Sequence, residues 1–584
     1  MRTNNELKSN RSYVLCFVGI IILGLALRSV RIVHVPPGIT NDELGYVYNA
    51  YSIAKTGMDI YGNRFPILFH IGNWPFMPIP TYILASIFLF VSPTQLTARL
   101  MNIILGTTGI GILIILVNHI YKDKRLALLS GLVLALSPWH IHFSRTAYDG
   151  PVAIFLYLVG VLYGCIASRK HWFLFPMYVF VALGVGSHRA SSVIAFPITL
   201  FTFWYLWPSL VRKRRYVIEL AIGILFILGI FLMLVHIQRS ETQGISFTQE
   251  VSILNSSAIT KAVNEELNQS DAPMWIRRAF NNKLTYAFRV VRENYLHMFS
   301  PQFLFTSGEA DGIYSPWWRG QLYLIDLPLL VAGFIYLFRK KNRANWFVVG
   351  SILLAPMPAA ISSQVYSMRG YYFVYFYPII IAAGIGGLWK WTERFSYTAR
   401  FSIVALGVIV YGSFVLSYLY QYHYRYSNYG AERWFKAEKD LALVVGAPAS
   451  RYQERVIAQT GGVDVVLQYA FYNRLDPRTV QEAIAQASKD EIALPGGIHF
   501  VRFCAYGNRP VETFLTSTML YITRDSCQDT SKPTEIIYAP KSIRIWWKIY
   551  RGDLMPRPDK TAIDMTTSKD TPVINAPRRN DLGR

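Results

Sequence analysis

Residues 13–33 read YVLCFVGIIILGLALRSVRIV, and after six intervening residues stands Thr40-Asn41-Asp42-Glu43. An apolar run of that length crosses a bilayer as one helix. Arg2, Lys8 and Arg11 precede it. With no small-residue cleavage site at a suitable distance, it is expected to stay as a membrane anchor rather than be removed as a signal peptide. The acidic pair then sits where the chain leaves the membrane. An apolar helix is expected to follow, with Leu44, Val47, Tyr48 and Tyr51 on one face.

The rest of the chain repeats the first signal. Of 584 residues, 52% are hydrophobic and only 16% charged, against about 25% charged in soluble domains. Ten more apolar runs follow, at 100–120, 126–143, 151–167, 172–186, 190–207, 216–237, 322–338, 346–361, 371–389 and 401–420. The fold class expected is an all-α polytopic membrane protein of about eleven transmembrane helices plus interfacial helices, with a C-terminal external α/β domain. The net charge of +23 falls largely in short basic clusters between the runs, which argues against nucleic-acid binding. With the N-terminus cytoplasmic, the inner loops carry Lys122, Lys124 and Arg125; Arg169 and Lys170; residues 212–215; residues 339–343; and Lys390, Arg394 and Arg400. Every short inner loop is basic, as the positive-inside rule requires, and everything after Tyr420 is placed outside.

The domain division expected is 1–420 for the membrane part, with external loops 34–99 and 238–321; 421–552 for the external α/β domain; and 553–584 for a tail expected to be disordered. The stretch 79–91 is too short to span and reads as a helix lying on the membrane. In the C-terminal part, 432–445 and 477–488 read as helix and 499–505, 515–522 and 535–538 as strand. Cys504 and Cys527 can pair if that part faces an oxidising compartment. Cys16 and Cys165 fall inside apolar runs and read as small hydrophobes.

Two roles are open to the acidic pair. Asn41 can cap a helix whose first turn welcomes acids. Alternatively, a carboxylate at the membrane surface can take a proton from an acceptor hydroxyl. The outer ends of the spans offer Arg99, Arg145, Arg189 and Arg369. These either snorkel to headgroups or collect around a phosphate, whose oxygens suit the guanidinium fork. His188 and His297 are further candidates for sugar or phosphate contact, while His140 and His142, two apart, do not share a helix face. Trp74, Trp317 and Trp318 are candidate sugar-stacking rings.

The sequence resembles the GT-C membrane glycosyltransferases, which include the protein O-mannosyltransferases and the bacterial lipid A aminoarabinose transferases. The resemblance is carried by Asp42-Glu43 with Tyr46, by Gly57, Asp59, Tyr61 and Gly62, and by Thr97-Ala98-Arg99-Leu100 with Gly106. It continues in Lys122-Asp123-Lys124-Arg125, in Ser137-Pro138-Trp139-His140 through Arg145, and in Asp149. Phe299-Ser300-Pro301-Gln302 and Met368-Arg369-Gly370 complete it. It covers roughly 13–420.

The resemblance implies a sugar donor on a polyprenyl phosphate and an inverting attack by an external acceptor hydroxyl on protein, glycolipid or wall polymer. Asp42 would be the general base, Glu43 its assistant, and Asp149 a further acid. It implies no metal and no cofactor. A mannose-like sugar is expected. The Lys before Pro of the aminoarabinose enzymes is missing from Trp74-Pro75-Phe76-Met77-Pro78, which argues against aminoarabinose. A plasma-membrane, multi-pass location follows. The rival expectations are a transporter or flippase of a lipid-linked glycan and a non-catalytic scaffold. A transporter would need mid-span charges, and the apolar runs are nearly free of them.

Overall fold

The computed structural model describes residues 4–210, 214–241, 256–309, 311–339, 342–446, 451–460, 462–504, 510–527 and 531–555. The tail expected to be disordered lies outside them from residue 556 onward, as do Arg212, Lys213, Lys340 and Lys341 of the basic inner clusters.

Helix α1 (Asn4–Ser29) is followed by α2 (Asn41–Thr56), α3 (Pro78–Phe88), α4 (Gln95–Tyr121), α5 (Lys124–Leu136), α6 (Pro138–Phe143), α7 (Gly150–Ala167), α8 (Leu174–Val185), α9 (Ala195–Leu210) and α10 (Arg214–Glu241). Among the described residues, six helical stretches are by themselves long and apolar enough to cross a membrane. A seventh is a pair, Ser367–Tyr375 and Tyr377–Thr392, bent by 43°. These account for seven of the eleven expected spans. The other four segments are also helical, but their longest α-helices are α5, α8, Asp326–Phe338 and Arg343–Leu354, of 12 or 13 residues each. A helix of that length reaches only about 20 Å, short of the roughly 30 Å hydrocarbon core.

The run at 126–143 breaks for a local reason. Pro138 has no N–H, and the residue before a proline is driven out of the helical region. Ser137 accordingly sits at ψ 124°, closing α5, and its hydroxyl accepts the His140 N–H to open α6. The helices Asp326–Phe338 and Tyr377–Thr392 approach until backbones touch. A Cβ at Gly333 would lie 2.0 Å from the Ile380 carbonyl oxygen, and one at Gly384 2.0 Å from that of Leu329. Small residues of this kind let membrane helices pack closely.

The first large loop contains two helices. One is α3, as expected of an interfacial segment, and the other is α2. Between them runs a hairpin of β1 (Phe69–Ile71) and β2 (Trp74–Phe76), which the sequence reading did not anticipate. The second large loop carries helices Ser256–Asn268, Met274–Phe280 and Lys283–His297.

The C-terminal region is a six-stranded mixed sheet, ordered β4-β5-β3-β6-β8-β7. Its strands are β3 (Glu454–Ala458), β4 (Glu491–Leu494), β5 (Ile498–Val501), β6 (Met519–Thr523), β7 (Glu535–Tyr538) and β8 (Ile545–Arg551). Central β3 runs parallel to β5 and β6, and the outer pairings are antiparallel. Helices Lys436–Gly446, Val463–Tyr472 and Pro477–Ala485 cover it. Cys504 and Cys527 form a disulfide, with Cα atoms 5.9 Å apart. Leu44, Val47 and Ala50 of α2 belong to the same buried cluster as Val466, Leu467 and Ala470 of Val463–Tyr472, so the sheet region packs directly on the helix that follows the first span.

The reciprocal glycine contact gives a direct test. Gly384→Ala should force the two helices apart and cost about 1–3 kcal/mol, read as a lower unfolding midpoint of the detergent-solubilised protein. An unchanged midpoint would contradict the backbone contact.

Candidate active site

Helix α2 begins with a reciprocal cap made by Thr40, not Asn41. The Thr40 hydroxyl accepts the Glu43 N–H (3.2 Å), and the Glu43 carboxylate accepts the Thr40 N–H (3.0 Å). This is a capping box. The other Glu43 oxygen accepts the Ala147 N–H (2.7 Å), and the Arg99 Nε lies 3.8 Å away. Both side chains are fully buried. Burial raises the Glu43 pKa, opposed by Arg99 and the N–H donors. Glu43 therefore does not face the cavity described next. It ties α2 to the loop before α7.

Its neighbour Asp42 does face that cavity. A hollow of about 560 Å³ is lined by Asp42, Tyr46, Trp74, Asp149, His188, Arg189, Tyr314, Tyr366 and Arg369, with apolar walls from Phe76, Met77, Ile361 and Met368 among others. Asp42 stays open to solvent within it. The enclosing protein pushes its pKa up to about 6, with desolvation the largest cause and the charges of Asp149 and Glu43 next; the Tyr314 hydroxyl, 3.5 Å away, opposes. Asp149 accepts a 2.6 Å hydrogen bond from Tyr46. That bond joins the first turns of α2 to the start of α7.

The cationic side comes from two breaks between helices. His188 and Arg189 follow α8. Burial lowers the His188 pKa, so the ring is neutral near pH 7. Its Nδ1 accepts the Ser191 N–H (3.2 Å), which leaves the ring proton on Nε2. The Arg189 pKa falls to about 10, chiefly by desolvation, and the group stays charged at neutral pH. Arg369 stands in the short helix before the bend at Phe376, its guanidinium 5.0 Å from the centre of the Tyr366 ring. Behind it lies an acid that the sequence reading missed, Glu309. Glu309 accepts the Ser367 N–H (2.9 Å), and burial pushes its pKa up to about 8. It holds the turn that carries Arg369. Only its place in Gly308-Glu309, near Asp311-Gly312, hinted at it.

Five of the nine expected site residues thus line one cavity: Asp42, Asp149, His188, Arg189 and Arg369. Four do not. Glu43 is locked in the cap. Arg99 is fully buried and donates to the carbonyls of Ile32 and Pro36 (2.9 Å each) and Gly38 (2.5 Å). Arg145 donates to those of Leu27, Arg28 and Val35 at 2.8–3.1 Å. The reason is the C-terminal end of α1, where the last carbonyls of a helix have no partner within it. Both arginines donate to carbonyls of that turn and of the segment after it, and neither lines the cavity where a phosphate was expected to meet them. His297 closes its helix on the exposed side, 5.6 Å from the Phe303 ring and away from the cavity. Of the three candidate stacking rings, Trp74 lines the cavity, whereas Trp317 and Trp318 pack around Tyr429. Among the described residues no group of three His, Cys, Asp or Glu side chains is placed to hold a metal ion.

The different placements of Asp42 and Glu43 give opposite stability effects. Glu43→Ala leaves Arg99 as a buried charge without its acid and should cost about 3–5 kcal/mol. The folded-state pKa of Asp42 is raised, so its ionised form disfavours the fold. That penalty is absent below the ordinary carboxylate pKa, grows as pH rises toward 6, and is complete above it. Asp42→Asn should therefore raise the unfolding midpoint at pH 8 and leave it nearly unchanged at pH 4. Equal effects at both pH values would contradict the enclosed setting of Asp42.

No family model matches the chain, and no curated protein matches it. Among solved structures it is similar to the archaeal oligosaccharyltransferase AglB from Archaeoglobus fulgidus in complex with an inhibitory peptide and a dolichol-phosphate, at 12% identity over 88% of this chain and 70% of that one, with a TM-score of 0.49. It is also similar to ArnT from Cupriavidus metallidurans in the apo state, at 12% identity over 94% and 100%, with a TM-score of 0.48. A shorter match, 38% of this chain and 32% of the other at 12% identity and a TM-score of 0.29, is to the S. cerevisiae protein O-mannosyltransferase Pmt1-Pmt2 complex bound to the sugar donor. These structural neighbours are GT-C glycosyltransferases. At such identities and scores they transfer no residue roles, and the chemistry has to come from the cavity itself.

Proposed function

We propose that this chain is an integral membrane glycosyltransferase that moves a monosaccharide from a polyprenyl-phosphate donor to an acceptor hydroxyl, with inversion, on the outer face of the plasma membrane. One observation carries the reading: a carboxylate with a raised pKa and two guanidinium groups line a single partly apolar hollow. Capping does not account for Asp42, since Thr40 and Glu43 already make the cap between them.

The reaction needs the acceptor hydroxyl to lose a proton as its oxygen bonds to the anomeric carbon. The bond from that carbon to the phosphate oxygen breaks, and the electron pair stays on the phosphate. Asp42 takes the proton. A base is most effective when its pKa lies near the working pH, so a value near 6 suits the task better than an ordinary carboxylate. Arg189 and Arg369 meet the charge that builds on the leaving phosphate, a type of stabilisation that is strongest where water is excluded. His188, neutral with its proton on Nε2, and Trp74 are assigned to the sugar. Asp149 is assigned to holding Tyr46 and balancing Arg189, whose pKa it supports. No metal ion or cofactor enters this scheme. A mannose-like sugar, an acceptor on protein, glycolipid or wall polymer, a cytoplasmic N-terminus and eleven crossings complete the proposal.

The test is sugar transfer by the purified protein from labelled polyprenyl-phosphate sugars, mannose first. Asp42→Asn should lower turnover about 10²–10⁴-fold in a protein that still folds. Wild-type turnover should fall as pH drops through about 6, where Asp42 takes up a proton. Arg369→Ala should weaken both donor use and inhibition by free polyprenyl phosphate, while Arg99→Lys should act through stability alone. Full activity of Asp42→Asn would overturn the assignment of the base.

A further inference from the structure

The segment between α1 and α2 has no regular structure of its own, yet it must present Asp42 at a fixed place. Its carbonyls are held one after another. Arg145 donates to Val35, Arg99 and Gln95 to Pro36, and Arg99 to Gly38. The remaining two belong to the sheet region. Lys439 donates to the Pro37 carbonyl (3.1 Å) and to the Gln95 side chain (2.8 Å), and Gln468 donates to the Ile39 carbonyl (2.8 Å). Asn41, next to the acid, donates to Asp464 (2.8 Å). Gln468 is buried, so its donor is not shared with solvent. The approach is close enough that a Cβ on Gly38 would lie 2.0 Å from the Trp434 carbonyl oxygen.

We infer that the C-terminal sheet region is a positioning element for the catalytic base. Gln468 and Asp464, on the helix after β3, fix residues 39–41 and through them the direction in which Asp42 enters the cavity. This deepens the proposed function and rests on Asp42 being the base. The physical reason for placing such contacts here is leverage. Asp42 is the second residue of its helix, where fraying is greatest, and a displacement of about 1 Å at a reacting group costs roughly a hundredfold in rate. The capping box fixes the helix axis, while Gln468 and Asp464 fix the residues immediately before the acid. Three more bonds extend the same attachment along α2: Tyr48 donates to the Leu475 carbonyl (3.3 Å), and Gln481 donates to Ser52 (3.0 Å) and to the Asp59 carbonyl (2.7 Å).

The experiment uses full-length protein in lipid nanodiscs with Gln468→Met, Asp464→Ala and the conservative Asp464→Asn, which keeps an acceptor for Asn41. Amide hydrogen exchange is read at Thr40, Glu43 and Leu44, whose N–H groups are bonded in the native state, together with kcat and KM for a labelled polyprenyl-phosphate mannose. Gln468→Met and Asp464→Ala should speed exchange at these amides at least tenfold and leave the spans unchanged. They should also lower kcat 10- to 100-fold with KM within twofold, and Asp464→Asn should restore both. Unchanged exchange at the three amides, or faster exchange with wild-type kcat, would overturn the inference. Wild-type protein that consumes no donor while the amides still respond would overturn the proposed transfer from that donor and leave the positioning contacts standing.

Discussion

Everything at the cavity depends on keeping the short segment between α1 and α2 in one conformation. Residues 35–39 form neither helix nor sheet, and five successive carbonyls are exposed to a largely apolar setting. Buried backbone groups without partners cost several kcal/mol in such a medium. The chain meets this with long cationic and amide side chains from three distant places: Arg99 and Gln95 from α4, Arg145 from the turn after α6, and Lys439 and Gln468 from the sheet region. Glu43 then balances part of the positive charge that Arg99 brings in. A segment held at every carbonyl can deliver the next acid, Asp42, to a cavity wall with little freedom left.

This arrangement explains why adjacent acids have different lives. Glu43 points back into the protein, where it meets two backbone N–H groups and a guanidinium. Asp42 lines the hollow, with the Tyr314 hydroxyl 3.5 Å away. The first is a carboxyl group built into the cap, and the second faces the hollow. The same division separates the arginines. Arg99 and Arg145 are buried and donate to carbonyls at the end of α1 and in the segment after it, whereas Arg189 and Arg369 line the cavity, Arg369 while also donating to the Gln364 carbonyl. Irregular backbone such as that around Arg189 is tolerated at membrane depth where it lines a hollow rather than lipid.

Much of the fold was legible. All eleven apolar runs contain helix, and 477–488 and 515–522 anticipated Pro477–Ala485 and β6. What was illegible follows from the signals themselves. Hydropathy cannot see that Ser137-Pro138 cuts a run in two, or that Phe376 bends another by 43°. Strands β3 and β8, buried in the middle of a mixed sheet, lack the alternation that marks an edge, and β1–β2 is only three residues per strand. Asp42, Asp149, Arg189 and Arg369, named from spacing and motif, line the cavity, yet Arg99 and Arg145 carried the same signature of an arginine near a span end. The carbonyls at the end of α1 and in the segment after it, which Arg99 and Arg145 meet, are a property of three-dimensional structure. Glu309 had only a faint signature, its place beside Gly308, since its partner is the backbone of Ser367, 58 residues away.

The most direct measurement is a structure of this protein with a polyprenyl phosphate bound. The account predicts the phosphate between Arg189 and Arg369, on the side of the hollow facing Asp42, with the prenyl chain leaving along the apolar wall and Arg99 untouched. Phosphate density at Arg99 or Arg145, or lipid bound with no phosphate contact to Arg189 and Arg369, would contradict it.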